Sequence, residues 1–152
     1  MFWRDREFMK KKILIADDDA SVRKALGRVL EEEGYQIMLA ADGRETLQHF
    51  DAGPVDLLVL DLGLPVRNGW NTFERITRRA PAFPIVIITG KANPCDLAVA
   101  AGFGAVMEKP LDVGQLLQTM KELLGESPEA RLYRLCGSRH AAQSLRPQSA
   151  AE

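Results

Sequence analysis

The chain has 152 residues, enough for one domain of ordinary size with a sizeable core. Its composition, 46% hydrophobic and 27% charged with a net charge of −1, is that of a soluble globular protein and gives no basic field of the kind that attracts nucleic acid. No apolar run reaches the length of a membrane span, and the opening MFWRDREFMKKK lacks the apolar stretch of a secretory signal.

Met9 opens MKKKILIADDD, so residues 1–10 read as an N-terminal extension. The first strand is expected over residues 13–16, a continuous apolar run that ends in Asp17, Asp18 and Asp19. A helix follows, with Val22, Ala25, Leu26, Val29 and Leu30 at helical spacing and Gly34 where a left-handed C-cap belongs. Residues 37–40 form a second apolar run. Asp42 with Glu45 then reads as a capping-box-like start for a short helix carrying Leu47 and Phe50. The third run, residues 57–60, ends in Asp61, and Trp70, Phe73, Ile76 and Thr77 mark the helix after it. Residues 85–88 run into Thr89, and Asn93-Pro94 supplies an N-cap and an N1 proline for a helix carrying Leu97, Ala98 and Ala101. The last run, residues 105–107, precedes Lys109, and Asp112 with Gln115 opens a helix that ends near Gly125. Continuous apolar runs suit strands buried on both faces, so the pattern predicts an α/β fold of five β-α units around a parallel sheet.

Ligands of such sheets bind beyond the carboxyl ends of the strands. Four of the five predicted ends deliver chemistry there: Asp17 and Asp18, Asp61, Thr89, and Lys109. Two carboxylates about 4 Å apart repel by roughly 4 kcal/mol at an effective dielectric near 20, so the acidic run calls for a cation, shared protons, or a capping role. Mg²⁺ takes near-octahedral oxygen ligands, typically one or two carboxylates with phosphate oxygens and water, and Asp17, Asp18 and Asp61 can hold it. Lys109 and the Thr89 hydroxyl can then balance the charge of an acyl phosphate on Asp61. Asp19 is left to cap the first helix.

In combination these motifs (DDD after the first strand, DLGLPVRNG after the third, TG after the fourth and KP after the fifth) resemble the receiver domains of two-component response regulators. The resemblance runs from Lys11 to Leu124. It implies a doubly wound, flavodoxin-like (βα)5 fold with strand order 2-1-3-4-5. It also implies that Asp61 accepts phosphate from a sensor histidine kinase or a histidine phosphotransfer protein. By the same resemblance Asp17, Asp18, Asp61 and the backbone carbonyl of Gly63 hold Mg²⁺, and Thr89 and Lys109 support the phosphate. Pro65 and Gly69 match the turn after the acceptor, and Gly90 matches a position kept small for access. Gly63 and Lys91 fall where the family tunes phosphate lifetime. Two positions depart from the family. Val106 stands where a tyrosine or phenylalanine is usual, which removes the aromatic rotamer switch, and Asn68 replaces a common acidic residue.

A rival reading comes from haloacid-dehalogenase-like phosphatases, whose first motif ILIADDDAS approximates, with Asp17 and Asp19 as nucleophile and acid. It leaves Asp61 without a role and lacks a later acidic pair. A degenerate receiver kept only as an interaction module is a third reading, which the intact site positions oppose. His49 and His140 have no third ligand beside them. Cys95 and Cys136 form neither a metal spacing nor a disulfide framework, in keeping with a reducing cytosol. The receiver unit is thus expected over residues 11–125. Residues 126–152, polar and rich in Arg, Ala, Ser and Gln, are expected to be a flexible tail with at most a short docking helix. With no output domain in view, the protein is expected to act in the cytoplasm on a downstream protein, without direct nucleic-acid contact or membrane insertion.

Overall fold

The computed structural model describes residues 10–63, 69–90, 102, 104–127, 129–134 and 136. Strand β1 (Lys12–Ala16) leads to α1 (Ala20–Glu32), β2 (Gln36–Ala40), α2 (Gly43–Ala52) and β3 (Leu57–Asp61). Then come α3 (Gly69–Arg79), β4 (Ile85–Thr89), β5 (Gly104–Glu108) and α4 (Val113–Gly125). The five strands form one sheet in the order β2-β1-β3-β4-β5, and every pairing is parallel. This is the order the resemblance implies. The helix predicted from Asn93, together with Pro65, Asn68, Lys91, Cys95 and His140, lies outside the described residues.

The continuous apolar runs follow from a core on each face of the sheet. Ile13, Ile15, Leu57, Val59, Val86 and Ile88 point to one side, where Leu26 and Leu30 of α1 and Leu116 and Met120 of α4 cover them. The alternate residues, Leu14, Leu58, Leu60, Ile85 and Ile87 among them, point to the other side and meet Phe73 and Ile76 of α3. Each such side chain contributes about 1.5–3 kcal/mol when taken fully out of water. Trp70 packs against this second core and meets Phe73 edge to face, with ring centroids 5.2 Å apart.

Local chemistry sets the helix ends. Asp19 caps α1 by accepting from the amides of Ser21 and Val22. At its far end Gly34 has φ +97°, Tyr35 N–H donates to the Leu30 carbonyl and Gly34 N–H to that of Glu31, which is a Schellman ending. Asp42 accepts from Glu45 N–H, and the Glu45 carboxylate accepts in return from Ala41 N–H. Asp112 caps α4 through Gln115 N–H. Reciprocal bonds between Asp56 and Lys12 tie the start of β3 to that of β1.

The C-terminal segment carries a short helical stretch. Residues 129–134 are helical, and Arg134 donates to the Gly102 carbonyl at 2.8 Å and pairs with Glu126 at 2.6 Å. Arg131 donates to the Leu123 carbonyl. Two arginines thus satisfy carbonyls at the end of α4 and just before β5.

Candidate functional site

Pairing of β1 with β3 sets Ala16 opposite Leu60, so the residues that follow emerge side by side at one rim of the sheet. Carboxylate oxygens of Asp17, Asp18 and Asp61 all lie within 4.8 Å of one another. Asp17 and Asp61 are buried, at 5% and 3% exposure, whereas Asp18 is exposed. For the buried pair that separation means a repulsion of roughly 3.5 kcal/mol at an effective dielectric near 20.

Asp17 is held from three directions. Its amide donates to the Ala40 carbonyl, its Oδ1 accepts from Asp19 N–H at 2.9 Å, and its carbonyl accepts from the Arg23 guanidinium at 2.7 Å. Burial pushes its carboxyl above the usual carboxylate value, and the charges of Asp61 and Asp18 push the same way. The Asp19 amide and the Lys109 ammonium act against that rise.

Asp61 closes β3 with both oxygens engaged. Oδ1 accepts from Gly63 N–H and Oδ2 from the Lys109 ammonium, each at 2.9 Å. That bond is the largest cause of a raised Lys109 pKa. Lys109 follows β5 and precedes a cis bond to Pro110. Its backbone N–H donates to the Thr89 carbonyl at 2.9 Å, extending the β4–β5 ladder by one bond. Thr89 ends β4 and is 6% exposed, one residue beyond Ile88, the register partner of Asp61. The fold therefore brings the three predicted carboxylates and the lysine together and sets the threonine on the adjacent strand end. All the ligand atoms of the cluster are hard oxygens, which suits Mg²⁺.

Sequence reasoning missed Arg23, whose guanidinium reaches back from the first turn of α1 to the loop before it. No spacing rule marks a side chain that serves a carbonyl six residues earlier. Asp19, by contrast, does what its position predicts. Its carboxylate is committed to capping amides, which withdraws it from the acid role of the phosphatase reading.

A profile of the family described as response regulator receiver domain matches residues 13–121. The chain belongs to that family. Among curated relatives, the alkaline phosphatase synthesis transcriptional regulatory protein PhoP of Bacillus subtilis is 33% identical over 121 residues, covering 78% of this chain and 50% of the relative. The chain thus spans about half the length of this relative. Among solved structures, a CheY-like receiver domain protein from Methanospirillum hungatei superposes with TM-score 0.72 at 28% identity, covering 82% of this chain and 98% of that one. The response regulator TrrA of Thermotoga maritima, solved in complex with Mg²⁺ and BeF, superposes with TM-score 0.68 at 31% identity, covering 74% and 98%.

Val106 stands where the resemblance expects an aromatic side chain. Val106 is half-buried against the core on the α2 and α3 side, in register with Ile87. It is β-branched, with few rotamers and no ring to swing between two positions. Among the described residues no helix is long and apolar enough to cross a membrane.

Proposed function

We propose that this receiver is a phosphoacceptor that takes a phosphoryl group onto Asp61 from a phosphohistidine of a sensor kinase or a phosphotransfer protein. One observation carries the reading: the buried Asp61 carboxylate sits between an acidic pair and the Lys109 ammonium. Asp17, Asp18 and Asp61, with the Gly63 carbonyl, are assigned to hold Mg²⁺, which when bound neutralises charge on the transferring phosphoryl group. An Asp61 oxygen forms the new P–O bond while the P–N bond to imidazole breaks and the imidazole keeps the electron pair. The Gly63 amide fixes the orientation of the carboxylate. Lys109, already on Oδ2, is within reach of the incoming phosphoryl oxygens, and Thr89 can donate its hydroxyl to another.

The protein is then a signalling switch with self-phosphorylating and self-dephosphorylating chemistry rather than an enzyme acting on a separate substrate. Residues 11–125 form the receiver unit, with residues 1–10 and 126–152 as extensions. We place it in the cytoplasm, acting through a downstream protein without contacting nucleic acid or entering a membrane.

Acetyl phosphate with Mg²⁺ is expected to add one phosphoryl group per chain, and chelation of the metal or Asp61→Asn to abolish it. A label that persists in Asp61→Asn overturns the assignment. Sustained turnover of a generic phosphate ester would favour the phosphatase reading instead.

A further inference from the structure

The groove between α2 and α3 has a composition that the phosphoryl chemistry does not use. It encloses about 710 Å³ and presents Arg44 from α2 and Arg75, Arg78 and Arg79 from α3. Leu47 and Gln48 line it as well, and Asp51 is its acidic residue. Within a chain of net charge −1 this is a local concentration of positive charge. Among the described residues Arg79 pairs with Asp51, whereas Arg44, Arg75 and Arg78 have no carboxylate within ion-pair distance.

Helix stability does not account for the cluster. Arg78 and Arg79 lie in the last turn of α3, where the helix dipole welcomes cations. Arg44 lies in the first turn of α2, where the dipole opposes one. Arg75 stands three and four residues before Arg78 and Arg79, a spacing at which like charges weaken a helix. Arg44 in the first turn of α2 and the spacing of Arg75 to Arg78 and Arg79 therefore do not serve helix stability, and an anionic occupant would offset their repulsion.

The chain's own ends fit poorly. Residues 1–12 hold five basic and two acidic residues, and residues 126–152 hold four arginines and three glutamates. Nucleic acid fits poorly too. No aromatic side chain lines the groove to stack a base. A polypeptide uses the rest of the lining: its carboxylates meet the arginines, its backbone pairs with Gln48, and its apolar side chains rest on Leu47 and the arginine stems, while Asp51 stays paired with Arg79.

We propose that the α2–α3 groove docks an acidic segment of a partner protein. The surface is separate from the Asp61 site, since none of Asp17, Asp18, Asp61 or Lys109 lines it. Binding of a fluorescein-labelled oligoglutamate peptide containing interspersed leucines tests this by anisotropy at low and moderate salt. Saturable binding is expected, weakened at least about tenfold by Arg75→Glu/Arg78→Glu and by Arg44→Glu. Arg28→Glu, an exposed change on α1, and Asp61→Asn should leave it unaltered. Circular dichroism and acetyl-phosphate labelling of the groove variants establish that they fold, so failure here is separable from failure of the phosphoacceptor assignment. Equal binding by the groove variants, or equal loss with Arg28→Glu, overturns the proposal. So does absence of saturable binding, or displacement of the peptide by single-stranded DNA or triphosphate at lower concentration. Self-association that the groove variants abolish, in which a second copy's Glu31–Glu33 run occupies the groove, would also overturn it.

Discussion

Asp17 carries the electrostatic cost of the site. Its carboxyl is raised by burial first and by its acidic neighbours second. The folded protein therefore holds that proton more tightly than the unfolded chain does. The stability linked to it is fully present below the unfolded value near 3.8 and is lost as pH rises through the raised folded value. In the presence of a chelator, Asp17→Asn, whose side-chain oxygen can still accept from Asp19 N–H, is expected to raise the urea midpoint at pH 7. The gain should shrink as pH falls towards 4. A gain independent of pH would show that desolvation of the charge is not its source. The neighbouring aspartates divide their work differently. Mg²⁺ is expected to raise Tm in the parent and in Asp19→Ala but much less in Asp18→Ala. Asp19→Ala should instead cost about 1 kcal/mol with or without metal, through the lost cap. Thermal scans with and without Mg²⁺ separate the two roles, and equal metal responses would refute the division.

At the scale of elements, strand positions and caps were legible because each rests on local chemistry. The run at residues 57–60 is apolar without alternation because successive side chains enter two different cores. Asp19, Asp42 and Asp112 each precede a helix and accept from its free amides. Close approach between elements was not legible. Gly69 opens α3 against the end of β3, and a Cβ there would stand 2.3 Å from the Leu62 Cα and 2.8 Å from the Asp61 carbonyl oxygen. Only a glycine lets the helix begin so near Asp61. Gly69→Ala must displace backbone, with an expected loss of at least about 2–3 kcal/mol in chemical denaturation. Labelling of Asp61 should slow in the same variant. Unchanged stability would mean that α3 shifts freely away from Leu62.

For the whole molecule, four strand ends delivering chemistry to one rim made the site readable before any geometry was known. The 2.9 Å bond from Lys109 to Asp61 was not readable, because it crosses from the end of β5 to the end of β3 over an intervening strand. The α2–α3 arginines were also hidden, since they come from separate helices and meet only when both pack on the same face. The C-terminal helical segment engages the opposite end of the sheet, where Gly102 precedes β5, and β5 itself is roughly 13 Å long. Removing residues 126–152 is therefore expected to cost about 1–2 kcal/mol and several degrees in Tm through the lost Arg134 bonds, while the rate of Asp61 labelling stays unchanged. A slowed reaction would show that the segment influences the far rim.

The backbone bond from Lys109 to the Thr89 carbonyl couples the ends of two strands. It makes the hydroxyl-bearing and ammonium-bearing residues rungs of one ladder, so neither can drift without carrying the other. The bond is made by main-chain atoms, so it fixes where those two side chains start without depending on what they are. Gly63 lies off the ladder in the loop after β3, and a side chain there would begin 3.3 Å from the Asp61 Oδ1. A substitution at that loop therefore meets the Asp61 carboxylate directly, while the rung between Lys109 and Thr89 is left untouched.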